Sequence, residues 1–228
     1  MSIRPTAGLI DMTDEAYVPV LEHRPARPYV AITSRVTTEA ELRRAADQDF
    51  PRLYGWLRER AIVPAGPPLI RFRAFDPVGK PTRIDVGVPL ADAIDGGDGI
   101  EMAILPVGEW LTFLHRGPYT HVTEPDLAAA HATVRAWAAE HDLPLAKEEA
   151  AGDETALSGC VEQYRVGPVE EPDYTRWKTE VAYLVDRRGG DPARASLSRT
   201  SNPLRHDVVA EHRHTAVRGE RCAVRLVR

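Results

Sequence analysis

The feature that most constrains this chain is that one order of elements runs through it twice. The first pass opens on an extended segment, Pro28-Tyr29-Val30-Ala31-Ile32-Thr33. A helix then starts at Thr37-Thr38-Glu39-Ala40-Glu41, where Thr38 and Glu41 have the capping-box spacing. Leu42, Ala46, Phe50, Leu53 and Leu57 recur at steps of four, four, three and four, an apolar stripe with helical period. Pro51 lies inside that stripe and predicts a kink or short break near Asp49. Two strands follow, Leu69–Phe75 and the strictly alternating Arg83–Pro89, separated by the turn signal Asp76-Pro77-Val78-Gly79.

The second pass repeats the order. Glu101–Leu105 and Trp110–Leu114 read as strands, and Gly117-Pro118-Tyr119 leads to a second capping box at Thr123-Glu124-Pro125-Asp126. Leu127, Ala130, Val134, Trp137 and Ala138 trace the second helix, which places Trp137, like Trp56 in the first, in the core. After a loop of little pattern from Glu148 to Ser158 come strands at Gly159–Val166 and Lys178–Val185. The expected architecture is therefore α+β. Module one spans 27–92, module two 100–186, and Asp95-Gly96-Gly97-Asp98-Gly99 serves as the connector between them.

Charge divides the chain differently. Residues 187–228 hold ten arginines and four acidic groups, a net of +6, while the chain as a whole carries −5; the remainder is therefore at −11. The tail has no apolar period and is expected to lack a packed core. An acidic body argues against direct nucleic-acid binding. Residues 1–26 read as a leader without a signal-peptide core, and no long apolar run suggests a membrane span, so a cytoplasmic protein is expected. Cys160 and Cys222 are too few for a disulfide framework or a cysteine zinc site, and no P-loop, G-x-G-x-x-G or G-x-S-x-G motif is present. Neither a metal nor a cofactor is expected.

Five short motifs in order, Gly66-Pro67-Pro68, Gly87-Val88-Pro89, His115-Arg116-Gly117-Pro118-Tyr119, Glu162-Gln163-Tyr164 and Trp177-Lys178-Thr179-Glu180, resemble the GyrI-like family. The resemblance covers residues 27–186. It implies two modules related by a pseudo-twofold, with a concave antiparallel sheet and a ligand groove, as in the effector-binding domains of multidrug-sensing regulators such as BmrR. It also implies binding of bulky, apolar, often cationic small molecules. In stand-alone members it implies hydrolysis of cyclopropane-bearing DNA-alkylating compounds. The 26 residues ahead of the first strand are too few for a helix-turn-helix domain, so a protein acting without DNA contacts is expected.

Glu180 is the leading candidate for chemistry. It alternates with Lys178, Ala182 and Leu184 on one face of the last strand, opposite Thr179, Val181 and Tyr183, and a carboxylate beside Ala and Leu suits the floor of an apolar groove. The resemblance puts the family's ligand-contacting glutamate at the same place. Glu162 and Tyr164 are the supporting pair, with Asp85 as either a further lining carboxylate or a salt-bridged structural one. Trp177, Tyr119, Trp110, Phe72 and Tyr183 are the expected aromatic walls, suited to flat ligands and to cations. Two functions follow. In one, a cofactor-free hydrolase uses Glu180 to activate water against a strained carbon, while Glu162, Tyr164 or Tyr119 supports the oxygen that gains charge, and so protects the cell from a DNA alkylator. In the other, the chain binds and sequesters or senses a cationic lipophilic drug.

Overall fold

The computed structural model describes residues 18–74, 82–119, 126–146 and 160–186. The predicted turn at 76–79, the loop at 148–158, the capping threonine at 123 and the tail from 187 lie outside the described residues. The elements run β1 (Val20–Arg24), β2 (Arg27–Val36), α1 (Glu39–Glu59), β3 (Leu69–Ala74), β4 (Thr82–Pro89), β5 (Glu101–Leu105), β6 (Gly108–Arg116), α2 (Leu127–Glu140), β7 (Cys160–Val166) and β8 (Lys178–Leu184). The order β2-α1-β3-β4 is followed by β6-α2-β7-β8, as the pattern predicts.

All eight strands join one antiparallel sheet in the order β1-β6-β8-β7-β3-β4-β2-β5. Two short links make it curl. β1 and β2 are joined only through Pro25 and Ala26, yet stand six places apart in the sheet; so do β5 and β6, joined through Pro106 and Val107. Six inter-strand steps would span roughly 29 Å on a flat sheet, whereas a two-residue link bridges only about 10 Å. The sheet therefore rolls until its two ends approach, away from the helices, and Arg71 of β3 reaches the Ile104 carbonyl of β5 at 3.1 Å across the inside of the curl.

Both faces of the sheet are consequently buried. The helix side carries the main core, including Val30, Ile70, Phe72, Ile84, Val86, Val134, Val181 and Tyr183. The inner side carries a smaller cluster of Tyr29, Ala31, Leu69, Trp110, Val161 and Ala182. Gly87 is required there, because a Cβ at that position would stand 2.7 Å from the Tyr29 ring.

Four features differ from the sequence reading. α1 is unbroken through Pro51, and its N-cap Thr38 accepts from the Glu41 amide at 3.0 Å. α2 is capped by Asp126 itself, which accepts from the Ala129 amide at 3.0 Å. Val20–Arg24, placed in the leader, is an edge strand on β6, and β5 pairs with β2 of the first module rather than within the second.

α1 packs on β2 and β4, and α2 on β6 and β8. Neither helix has its main packing on the central pair β3 and β7, and a gap remains above it. That gap positions the site.

Candidate functional site

The gap opens into a cavity of about 690 Å³. Its floor comes from cross-strand partners, Ile70 on β3 and Glu162 on β7, with Tyr164 two residues further along the same face. α1 supplies one wall, including Leu42, Phe50 and Tyr54; the start of α2 supplies Asp126 and Leu127; Tyr119 and the turn Gly167–Glu170 close the side. Alternation explains the choice of residues. On β7, positions 162 and 164 face the helices, while 161, 163 and 165 face the inside of the curl.

The aromatic rings form a connected wall. Tyr164 meets Phe50 edge-on at 6.1 Å and Tyr119 at 5.3 Å, and Tyr119 leans on Trp177 at 4.5 Å between centroids. Gly167 lets Tyr119 come close, since a Cβ there would lie 2.9 Å from its hydroxyl. Among the described residues, five carboxylates line the cavity, Glu39, Asp47, Asp126, Glu162 and Glu170, against one cation, Arg43, which pairs with Glu39 at 3.1 Å. The lining is thus aromatic and strongly acidic. Its field favours cations. The phenols stay protonated there: loss of water pushes Tyr119 up to about 12, with Glu170 and Glu162 adding to the shift, and Tyr164 goes well above its ordinary value for the same reason.

Glu162 and the N-cap Asp126 are the buried members of the acidic set, at 2% and 3% exposure. Glu162 Oε2 accepts from the Tyr164 hydroxyl at 2.7 Å, and its Oε1 lies 2.8 Å from His131 Nε2 on α2. The other ring nitrogen of His131 meets the Tyr183 hydroxyl at 2.8 Å. Nothing in the sequence reading singled out His131. It occupies a helix position four residues after Leu127, and a lone histidine among alanines carries no motif; only its core-facing register was a signal.

Glu180 is not in the cavity, and this corrects the leading expectation. Its strand alternates as predicted, but the face it shares with Ala182 is the inner face, because Val181 and Tyr183 turn toward the helices. There Arg165 holds one carboxylate oxygen, and Arg24 stands 2.8 Å from the other in an ion pair without hydrogen-bond alignment. Asp85 lies on that face too, fully buried, accepting from Tyr29 and Arg73 at 2.5 Å and from Thr33 at 3.0 Å. Its salt-bridged alternative is the observed one.

The aromatic candidates divide. Tyr119 lines the cavity, and Trp177 stands behind it, its indole donating to the Glu171 carbonyl at 2.7 Å. Tyr183 does not reach the cavity but belongs to the network behind Glu162. Phe72 is core, edge-on to His131 at 6.2 Å. Trp110 is on the inner face with Tyr29 and Leu69. The placements of Tyr183, Phe72 and Trp110 are corrections: burial from both sides makes a strand aromatic a core residue here. Trp56 is in the core as expected, while Trp137 is only partly buried and stacks on His141 at 3.6 Å. Among the described residues no helix is long and apolar enough to cross a membrane, and no cluster suited to a metal ion occurs.

The model of the GyrI-like small molecule binding domain matches residues 18–185. Among solved structures, the EcmrR C-terminal domain superposes with a TM-score of 0.57 at 15% identity, covering 75% of this chain and 98% of that one. EcmrR in its DNA complex gives a TM-score of 0.59 at 14% identity, covering 74% of this chain and 57% of that one, so this chain spans little more than half of the whole EcmrR chain. SAV2435 bound to tetraphenylphosphonium gives 0.49 at 11% identity, covering 74% and 94%. No curated protein matches the sequence.

Proposed function

The chain belongs to the GyrI-like small molecule binding family, and on that premise we propose that its cavity takes a bulky aromatic organic cation, with Glu162 as the buried counter-charge. The observation that carries this reading is the lining: among the described residues, five carboxylates, one paired arginine and a wall of phenyl and phenol rings around 690 Å³. Rings offer their faces to a delocalised cation, each contributing about 0.5–2 kcal/mol. A carboxylate already held by two donors needs no rearrangement to receive it. Glu162 takes the role that alternation and the resemblance had given to Glu180, with Tyr164 and Tyr119 as its aromatic neighbours. Binding of this kind would sequester or sense a cationic lipophilic compound.

The test compares tetraphenylphosphonium with triphenylphosphine oxide, a neutral aromatic of similar girth, by titration calorimetry. The cation is expected to bind at least about tenfold more tightly, the difference expected of one partly screened charge interaction. Equal affinities, or no binding of the cation, overturn the reading.

A second reading is favoured by one observation, that Glu162 faces the cavity and is backed by an imidazole. Such a pair suits general-base chemistry. On a cyclopropane conjugated to a dienone, Glu162 would take a proton from water as the water oxygen bonds to a ring carbon. The electron pair of the breaking ring bond would pass into the conjugated carbonyl, whose oxygen takes the Tyr119 proton, and Glu162 then returns its proton to Tyr119. The net change is addition of one water. It would disarm a DNA alkylator. Mass spectrometry of such a compound incubated with excess protein decides: a gain of one water supports the reading, and unchanged starting material overturns it.

A further inference from the structure

His131 is fully buried on α2, at a register where the helix otherwise presents Leu127, Ala130, Val134 and Ala138 to the core. An imidazole in that row is costly unless its nitrogens are partnered. Here the partners also give the row a direction. Arg135 Nη1 can only donate, and it lies 3.4 Å from the Tyr183 oxygen. An ionised Glu162 can only accept, at 2.8 Å from Nε2, so the proton of a neutral ring sits on Nε2 and Nδ1 receives the Tyr183 hydrogen at 2.8 Å. Tyr164 donates to the remaining Glu162 oxygen. A neutral His131 is thus fitted as a donor to an ionised Glu162.

The same row takes one more proton on Nδ1 at the cost of the acceptor of the Tyr183 hydrogen. If Nδ1 becomes protonated, the Tyr183 hydroxyl turns, and its oxygen receives both Arg135 and His131. The pair of Glu162 and His131 then carries no net charge instead of one negative charge. A cation in the cavity favours the charged form of the pair, because its attraction to an ionised, uncompensated Glu162 is larger.

We propose that His131 is the proton-exchange partner of the cavity, so that entry of an organic cation expels a proton from the His131–Glu162 pair. The inference rests on the cation-binding reading above. Affinity for the cation then falls as pH falls, approaching tenfold per pH unit below the point at which the pair takes up its proton.

Other titratable and charged groups face the pair from every side. From β7 come Cys160, whose sulfur is 3.8 Å from Nδ1, and Tyr164; from β8 comes Tyr183; from α2 come Arg135 and the N-cap Asp126. His115 on β6 is the competing source of a proton. Burial holds it below the ordinary imidazole range, although the carbonyl of Pro118 at 3.0 Å and the nearby Asp126 and Glu162 pull it upward. The experiment must separate the two histidines.

Calorimetric titration with tetraphenylphosphonium at about pH 6, near where a free imidazole titrates, is run in phosphate and in Bis-Tris, whose ionisation enthalpies differ. The wild-type protein and His115→Gln are expected to release up to one proton, and His131→Gln none. Undiminished release in His131→Gln, or no release by the wild type anywhere between about pH 5 and 8, overturns the proposal. If tetraphenylphosphonium does not bind, the cation reading falls, and the ring itself still decides. Nitrogen-15 NMR of the ligand-free protein should find His131 as the Nε2–H tautomer at high pH, protonating on acidification, with Glu162→Gln moving that step to lower pH. An imidazole that does not titrate in the folded protein, or one that titrates alike in Glu162→Gln, overturns the proposal. The NMR arm keeps His131 intact and so also serves if His131→Gln does not fold.

Discussion

Two buried glutamates, one on each face of the sheet, have opposite surroundings. Glu162 and Glu180 sit on adjacent strands and are similarly shielded, at 2% and 5% exposure. Glu180 is flanked by the guanidinium groups of Arg24 and Arg165. Glu162 has a phenol and an imidazole instead, and it lines a cavity with room for a ligand. Burial alone therefore does not tell the two apart. The partners differ: guanidinium groups on Glu180 tie β1 and β7 to β8, whereas Glu162 is held by a hydroxyl and an imidazole at the edge of the cavity.

The sharpest way to break this contrast is to remove a carboxylate from the inner face. Asp85→Ala leaves Arg73 and Tyr29 without their common acceptor inside the curl. A loss of about 3–5 kcal/mol in urea unfolding is expected, with cation affinity of the folded protein unchanged. A loss below about 1 kcal/mol, the range of an exposed pair, would show that the inner face is wetter than its geometry implies.

The aromatic residues give the next test. Tyr119→Ala removes the ring between Tyr164 and Trp177 and should weaken cation binding about tenfold, equivalent to about 1.4 kcal/mol. Trp110→Ala, on the inner face, should lower stability and leave the affinity of the folded protein as it was. A matching loss of affinity in both variants would contradict the division between the faces.

The smallest expected effect concerns His115. Because burial lowers its folded pKa, the unfolded chain takes up the proton first as acid is added. Its contribution to stability is full above about pH 6.5 and declines as pH falls toward the folded value, by a fraction of about 1 kcal/mol. Thermal unfolding from pH 8 to 5 should fall less steeply in His115→Gln than in the wild type. Parallel curves would show that this imidazole does not differ between the folded and unfolded states.

Much of the architecture was legible in the chain. Both helices stand where their apolar stripes lie, Thr38 caps α1, and the alternation of β8 separates Thr179, Val181 and Tyr183 from Glu180 and Ala182. What alternation could not provide was the identity of the helix-facing side. On an open sheet the more apolar face meets the helices, but here the curl buries the other face as well, so Ala182 and Leu184 pack inward and carry Glu180 with them. The curl itself depends on the links at Pro25-Ala26 and Pro106-Val107, which set strand neighbours from opposite ends of the sheet. Local pattern does not encode such a crossing, which is why β1 read as leader and β5 as part of the second module. His131 escaped notice because helical periodicity registers apolar residues, and its importance lies in a contact 31 residues away with Glu162.

The central claim is that Glu162, and not Glu180, is the charge that a cavity-bound cation meets. Tetraphenylphosphonium titrated into the wild type, Glu162→Gln and Glu180→Gln tests it directly. The account predicts a loss of tenfold to a hundredfold in Glu162→Gln, about 1.4–2.7 kcal/mol, and a change within about twofold for whatever fraction of Glu180→Gln is folded. Full affinity in Glu162→Gln together with its loss in folded Glu180→Gln would place the binding charge on the inner face of the sheet and contradict the account.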